Sequence, residues 1–186
     1  MSLGTLLLAG AMFLLLWNQN ENKKAEKTAG KVLIRIIEEA EQEDIIAESE
    51  NLYEEQMPEK VVDGYGYIGY LTIPSLGIQL PVMSEWDYGR LRITPCRYYG
   101  STVTDDLVIA AHNYASHFGK LGDINIGDVV SFTNMEGNTI TYEVAEVNVL
   151  ESTAVETMTD GEFDLRLFTC TYGGRTRLTV GCLRTK

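Results

Sequence analysis

The sequence predicts an all-β domain: a closed or nearly closed antiparallel β-barrel of about eight strands with short helical turns, preceded by an amino-terminal helical membrane anchor and stalk. Three observations carry that expectation. From Asp63 onward, short apolar or alternating runs are punctuated by Gly, Pro, Asn and Asp, the texture of strands and tight turns. Before that point, apolar residues fall at helical spacing among glutamates. At the start, Leu3 to Trp17 is an apolar run of 15 residues without a charge.

That first run is followed at once by Asn18-Gln19-Asn20-Glu21. A full membrane span wants about 20 apolar residues, and a signal peptide a core of about 7–15 with a basic flank before it and small residues after it. Here no Lys or Arg precedes the run, whereas Lys23, Lys24, Lys27, Lys31 and Arg35 follow it. Taken literally, the positive-inside rule would leave the remainder in the cytoplasm. The run is therefore read as an anchor that begins inside its span and has lost a basic start, because a buried helix apolar all round would need a groove long enough to cover it. Val32, Leu33, Ile36 and Ile37 then predict a helix from about Ala25 to Glu43, leading into an acidic connector that ends near Pro58. The expected organisation is an anchor over residues 1–20, an acidic helical stalk over 21–60 and a barrel domain over 61–186.

Strands are predicted over Gly66–Ile73, Ile78–Ser84, Leu107–His112, Asp128–Asn134, Thr139–Glu151, Phe163–Thr171 and Thr176–Arg184, with helical turns over Trp86–Ile93 and Ala154–Met158. Met135-Glu136-Gly137-Asn138 and Tyr172-Gly173-Gly174-Arg175 read as hairpin turns. There is no internal repeat, and no long helix alternates with the strands.

Charge and cysteine usage exclude several functions. Lys plus Arg number 15 against 27 Asp plus Glu, a net charge of −12. No basic face is available to displace counterions from phosphates, so a nucleic-acid partner is not expected. Cys96, Cys170 and Cys182 are odd in number and irregularly spaced, and the only histidines are His112 and His117. Neither a disulfide framework nor a structural zinc site fits that inventory.

The chemistry falls at strand ends. Leu107 to Ala111 is apolar throughout and stops at His112-Asn113, where loop composition begins. In Leu165 to Cys170, alternate residues share a face, so Arg166, Phe168 and Cys170 point one way. A two-residue Gly173-Gly174 turn would pair Tyr172 with Arg175, Thr171 with Thr176 and Cys170 with Arg177. That register sets a cation about 4.5–5.5 Å from the thiol between Cβ atoms, where it stabilises a thiolate or an oxyanion formed beside it. The same parity turns Cys182 to the other face, against a Cys170–Cys182 disulfide. Cys96 and Cys182 are read as small buried hydrophobes, and His117, in the polar loop Asn113–Lys120, as structural or solvent-exposed.

These residues resemble the sortases, cysteine transpeptidases of Gram-positive cell surfaces. Leu167-Phe168-Thr169-Cys170 resembles the family's Thr-Leu-x-Thr-Cys strand, with Arg166 where the first Thr would stand, and Arg177-Leu178-Thr179-Val180 its Arg-Leu-x-Val strand. Val108–Asn113 with Phe118-Gly119-Lys120-Leu121 and Gly127-Asp128 resembles its histidine segment, and Gly69 to Pro74 with Leu80-Pro81-Val82 its opening strands. The likeness spans residues 66–184 in order. His112-Asn113 is similar to the class B pattern and the remainder to classes A and D, while the short spacing from Cys170 to Arg177 departs from the longer loops of many members.

The resemblance implies a sortase-type barrel in which Cys170 attacks a backbone carbonyl of an LPXTG-like signal on a secreted protein, giving a thioacyl enzyme. It makes His112 the proton carrier, Arg177 the holder of the oxyanion and Thr169 a substrate contact. The acceptor would be an amine of a peptidoglycan precursor or of a pilin, the enzyme would sit on the cell membrane with its barrel outside, and no cofactor or metal is required. Two alternatives stay open on the residues alone. A cysteine hydrolase would pass the acyl group to water, and a non-catalytic surface-binding module would leave the meeting of Cys170, His112 and Arg177 without a use.

Overall fold

The structure, a computed structural model, describes residues 3–43 and 57–185. A single helix, α1 (Leu3–Glu43), precedes nine strands: β1 (Lys60–Val62), β2 (Tyr65–Ile73), β3 (Ile78–Met83), β4 (Cys96–Tyr99), β5 (Leu107–Ala111), β6 (Val129–Asn134), β7 (Thr139–Glu151), β8 (Leu165–Cys170) and β9 (Thr176–Arg184). A one-turn helix, α2 (Val155–Met158), lies between β7 and β8. The strands run β1-β2-β3-β4-β5-β8-β9-β7-β6, and β6 returns to pair with β2, so eight of them close a barrel and β1 extends its seam.

The closure needs a glycine. Gly69 pairs with Val82 of β3 and with Asn134 of β6, at a bulge where its φ is +146°. A Cβ there would lie 2.1 Å from the Thr133 carbonyl oxygen. Only a residue without a side chain lets two strands approach β2 this closely.

The barrel is mixed, which corrects the antiparallel expectation. β3 runs parallel to β4, and β5 runs parallel to β8 over five register pairs from Leu107↔Leu165 to Ala111↔Thr169. Strand periodicity reports which face is buried but not the direction of the neighbour, so alternation could not reveal this. The continuous apolar run of β5 is the trace the parallel pairing leaves, since all five of its residues are buried. Leu107, Ile109 and Ala111 fill the barrel interior with Leu71, Phe132, Tyr142, Leu167 and Val180. Val108 and Ala110 face outward into a second cluster with Tyr67, Met83, Phe168 and Met158.

At the amino terminus, α1 is one uninterrupted helix that runs through the segment expected as an anchor and into the one expected as a stalk, and among the described residues no helix is long and apolar enough to cross a membrane. At 1.5 Å per residue its apolar stretch is about 22 Å long, short of the roughly 30 Å hydrocarbon core. The helix docks beyond that stretch. Ala25, Ala29, Val32 and Ile36, spaced three and four apart, are buried, and Arg35 pairs with Asp63 at 2.7 Å. The acidic connector expected after Glu43 lies outside the described residues as far as residue 56.

Two adjacent positions on α1 test that docking. Ala29 is 1% exposed, so Ala29→Leu overpacks the contact and is expected to lower stability by about 1–3 kcal/mol. At Gly30 an added Cβ meets nothing within 4 Å, so Gly30→Ala is expected to raise stability by about 0.5–1 kcal/mol. Thermal unfolding reads both, and a neutral Ala29→Leu would mean that the helix stands clear of the barrel.

Candidate active site

The ends of β5, β8 and β9 meet at one rim. Ala111 and Thr169 form the last pair of the parallel register, so His112 and Cys170 each stand one residue beyond it, side by side on neighbouring strands and on the same face. Cys170 pairs across the other edge of β8 with Arg177. The order across the face is therefore His112, Cys170, Arg177. All three line one cavity of about 210 Å³.

The hairpin between β8 and β9 keeps the expected register with a different turn. The Thr171 N–H donates to the Thr176 carbonyl and the Gly174 N–H to the Thr171 carbonyl, while Tyr172 and Arg175 stay out of the ladder. Gly173 has φ +87° while Tyr172 keeps a negative φ, the combination of a type II turn closed between Thr171 and Gly174, which favours glycine at its third residue. The Arg177 guanidinium donates through Nη1 to the carbonyls of Gly174 at 2.9 Å and Thr176 at 3.1 Å, which holds it on the hairpin side of the cavity.

Beneath this rim, Thr169 is buried and turned to the barrel interior. Its hydroxyl donates to the Ala111 carbonyl at 2.9 Å and so ties β8 to β5 directly behind Cys170 and His112. It does not line the cavity shared by Cys170, His112 and Arg177, but it lines a second one of about 200 Å³ on the other side of Cys170, with Asn113 and Leu178. Arg166, on the face of Cys170 as expected, is buried against Asp160 at 3.1 Å and the Phe163 ring at 4.8 Å. It braces the segment after β7, which contributes Ser152 and Met158 to the cavity.

The three cysteines separate by environment. Burial pushes the Cys96 thiol up to about 12, with the Asp87 charge adding to the shift and Arg90 opposing it. Burial alone pushes Cys182 up to about 12. Cys170 is half-buried, faces the cavity and is the cysteine beside both an imidazole and a guanidinium. Of the three thiols it is the one a substrate in the cavity can reach.

His112 is held below its ordinary pKa by burial and by the Arg92 charge, so the ring is neutral near pH 7. It stacks on Tyr114 with centroids 4.8 Å apart and planes 29° from parallel. His117, expected to be structural or exposed, is fully buried against the other side of this group, 5.4 Å from Tyr114. Neither of its ring nitrogens makes a hydrogen bond of good geometry. Burial lowers its pKa to about 4, the His112 charge adds to that, and the Ile93 backbone works against it.

The far wall is aromatic. Trp86 lies 5.1 Å from Tyr98, and Tyr98 meets Phe168 edge-on at 5.1 Å. Trp86 and Tyr88 come from a loop fixed by Asp87, which accepts from the backbone N–H groups of Gly89 and Arg90 and pairs with the Arg90 guanidinium. Sequence reasoning missed this wall because Tyr98 belongs to β4, which it did not predict. The density of aromatic residues between Trp86 and Tyr99 was the available signal.

A family model for the sortase domain matches residues 71–184, more than half of the chain. The chain belongs to the sortase family. Sortases are cysteine transpeptidases, and the family assigns that activity class to this sortase. Sortase C1 from Streptococcus suis is 29% identical, with a TM-score of 0.55 over 64% of this chain and 73% of its own. The lid mutant of sortase A from Corynebacterium diphtheriae, 24% identical, covers 85% of this chain and 96% of its own with a TM-score of 0.59. A sortase D5 transpeptidase from Clostridium perfringens, 15% identical, covers 88% and 99% with a TM-score of 0.61, and these two bear on the fold alone. No curated protein sequence matches this sortase.

The burial of neutral His117 makes stability depend on pH. Between about 6.5, where an unfolded histidine titrates, and about 4, the unfolded chain holds more protons at this site than the native one. Stability should therefore fall as pH drops through that window, by up to about 3 kcal/mol. Urea unfolding at pH 7 and pH 4.5 is expected to show a smaller loss in His117→Leu than in the wild type; equal losses would contradict the assignment.

Proposed function

We propose that this sortase cleaves an LPXTG-like signal near the carboxyl terminus of secreted proteins and joins the product to an amine of a cell-wall precursor or a pilin. The observation that carries the reading is the placement of His112, Cys170 and Arg177 at the ends of three adjacent strands around one cavity.

The chemistry follows from that order. Neutral His112 takes the Cys170 proton, and the sulfur attacks the scissile carbonyl carbon. Arg177, directly across from Cys170, donates to the oxygen as it becomes an oxyanion. The C–N bond then breaks, the imidazolium gives its proton to the departing amine, and a thioacyl enzyme remains. An incoming amine reverses the sequence: it loses a proton to His112 as it attacks the thioester, and the proton returns to sulfur as the new amide leaves. A histidine whose charged form is disfavoured is a strong acid once protonated, which suits the amine-protonating step. Thr169 serves by tying the two strand ends through Ala111. The cavity's aromatic wall of Trp86, Tyr98 and Phe168 is suited to the apolar residues of the signal.

The apolar start of α1 supports a membrane location. Leu6, Leu8, Phe13, Leu16 and Trp17 are each more than half exposed, an apolar surface larger than a soluble domain leaves in water. We place it in the outer leaflet side of a bilayer as part of an anchor, with the barrel outside the cell, near the lipid-linked substrates of both half-reactions.

Incubating the full chain with an LPXTG peptide, with and without an added primary amine, tests the reading by mass spectrometry. The expected results are a thioacyl adduct on Cys170 and an amide product when amine is present. His112→Ala and Arg177→Lys are each expected to cut acylation by about 10²-fold, whereas Arg175→Lys, at the hairpin tip, costs much less. Acylation at Cys96 or Cys182, or an Arg175→Lys variant weaker than Arg177→Lys, would overturn the assignment. Water as the acceptor even with amine in excess would make the enzyme a hydrolase.

A further inference from the structure

His112 stands at the end of β5, where the strand's hydrogen bonds no longer fix the chain. The segment that follows, Asn113–Lys120, would be free to carry the ring away from Cys170 unless something holds it. Three contacts do. Tyr114 stacks on His112, His117 packs on Tyr114 from within the core, and the Phe118 N–H donates back to the His112 carbonyl at 3.1 Å.

The same segment is gripped from outside by α1. The Asn22 side-chain oxygen accepts from the Ser116 backbone N–H at 3.0 Å and from the Ser116 hydroxyl at 2.9 Å, and the Asn22 carbonyl lies 3.3 Å from that hydroxyl. These bonds join residues 94 positions apart. One residue earlier, the Glu21 charge acts on the Tyr114 phenol, whose pKa is raised by burial and then by that charge. The helix is in turn fixed to the barrel by Ala25, Ala29, Val32 and Ile36.

We infer that Tyr114 is a positioning residue for His112, stacked between it and His117 and held there by the amino-terminal helix through Asn22 and Ser116. The catalytic geometry then depends on a helix that contributes no residue to the chemistry. An aromatic ring is needed at 114 because a flat face fixes the imidazole plane while leaving both ring nitrogens clear to exchange protons. A hydroxyl is not needed there. Asn22 suits the clamp because one amide oxygen can accept from a backbone N–H and a hydroxyl together.

The inference rests on His112 as the proton carrier, and the test has one arm that does not. NMR of the full chain labelled at histidine reads the ring-current shift of the His112 Hε1 proton in the wild type, Tyr114→Phe, Tyr114→Leu and Asn22→Ala. The same proteins are assayed for transfer of an LPXTG peptide to an amine. The upfield shift is expected to persist in Tyr114→Phe, vanish in Tyr114→Leu and shrink in Asn22→Ala. In parallel, kcat should fall about 10-fold in Tyr114→Leu with KM within about 2-fold, and return to within about 2-fold of wild type in Tyr114→Phe. An unchanged shift or kcat in Tyr114→Leu, or an equal loss in Tyr114→Phe, would overturn the inference. If Tyr114→Leu fails to fold, Asn22→Ala decides: a wild-type shift and kcat there would overturn the role of the helix. A wild type with no transfer activity would sink the functional reading, while the shift still decides the stack.

Discussion

Parallel pairing of β5 with β8 is the constraint on which the site depends. Strands that run the same way end side by side, so the residues leaving their carboxyl ends, His112 and Cys170, emerge at one rim. Had β8 been antiparallel to β5, Cys170 would stand at the opposite end of the barrel from His112. A parallel pair cannot be joined by a tight turn, and the chain between them makes a long excursion through β6, β7 and α2. That excursion closes the barrel against β2 and returns through a segment that walls the cavity with Ser152 and Met158. The next connection is the reverse case. β8 and β9 are joined by a tight turn, which places Arg177 opposite Cys170 with the fewest intervening residues.

Burial then sorts groups that look alike in sequence. Three thiols and two imidazoles are present, and in each set the core takes all but the one that lines the cavity. Cys96 and Cys182 are fully buried and stay protonated, which leaves the half-exposed Cys170 as the thiol open to a substrate. The His117 ring is buried without a hydrogen bond of good geometry and stays neutral, while His112 keeps access to the cavity. His117 is still coupled to the site, because its ring backs Tyr114 and Tyr114 backs His112.

Much of this was legible in the chain. β7 and β9 were read at their observed ends, and the pairing of Cys170 with Arg177 followed from counting outward from Gly173-Gly174, since the register survives the change of turn. What was not legible has physical reasons. β1 and β4 are three and four residues long, too short for a period of two to stand out, and β4 carries an arginine between Cys96 and Tyr98. Strand direction leaves no mark on alternation, so the mixed barrel could not be told from an antiparallel one. The polar composition around His117 suggested a loop near solvent, yet Phe118 and Leu121 beside it are core residues and draw it inward. The docking of α1 was written in the spacing of Ala25, Ala29, Val32 and Ile36, but two of those four are alanines, whose weak apolar signal was masked by the surrounding charges.

Assembly of the site rests on geometry, because the β5–β8 register sets residue 112 against Cys170. Replacing His112 by cysteine tests it without recourse to activity. Neighbouring strands lie about 4.8 Å apart, within the range a disulfide can bridge, so His112→Cys is predicted to cross-link to Cys170 in high yield under mild oxidation. Asn113→Cys, one step further beyond the end of β5 and out of register with Cys170, should cross-link far less. A disulfide from position 113 in place of 112, or none from 112, would contradict the register and with it the assembly of the site.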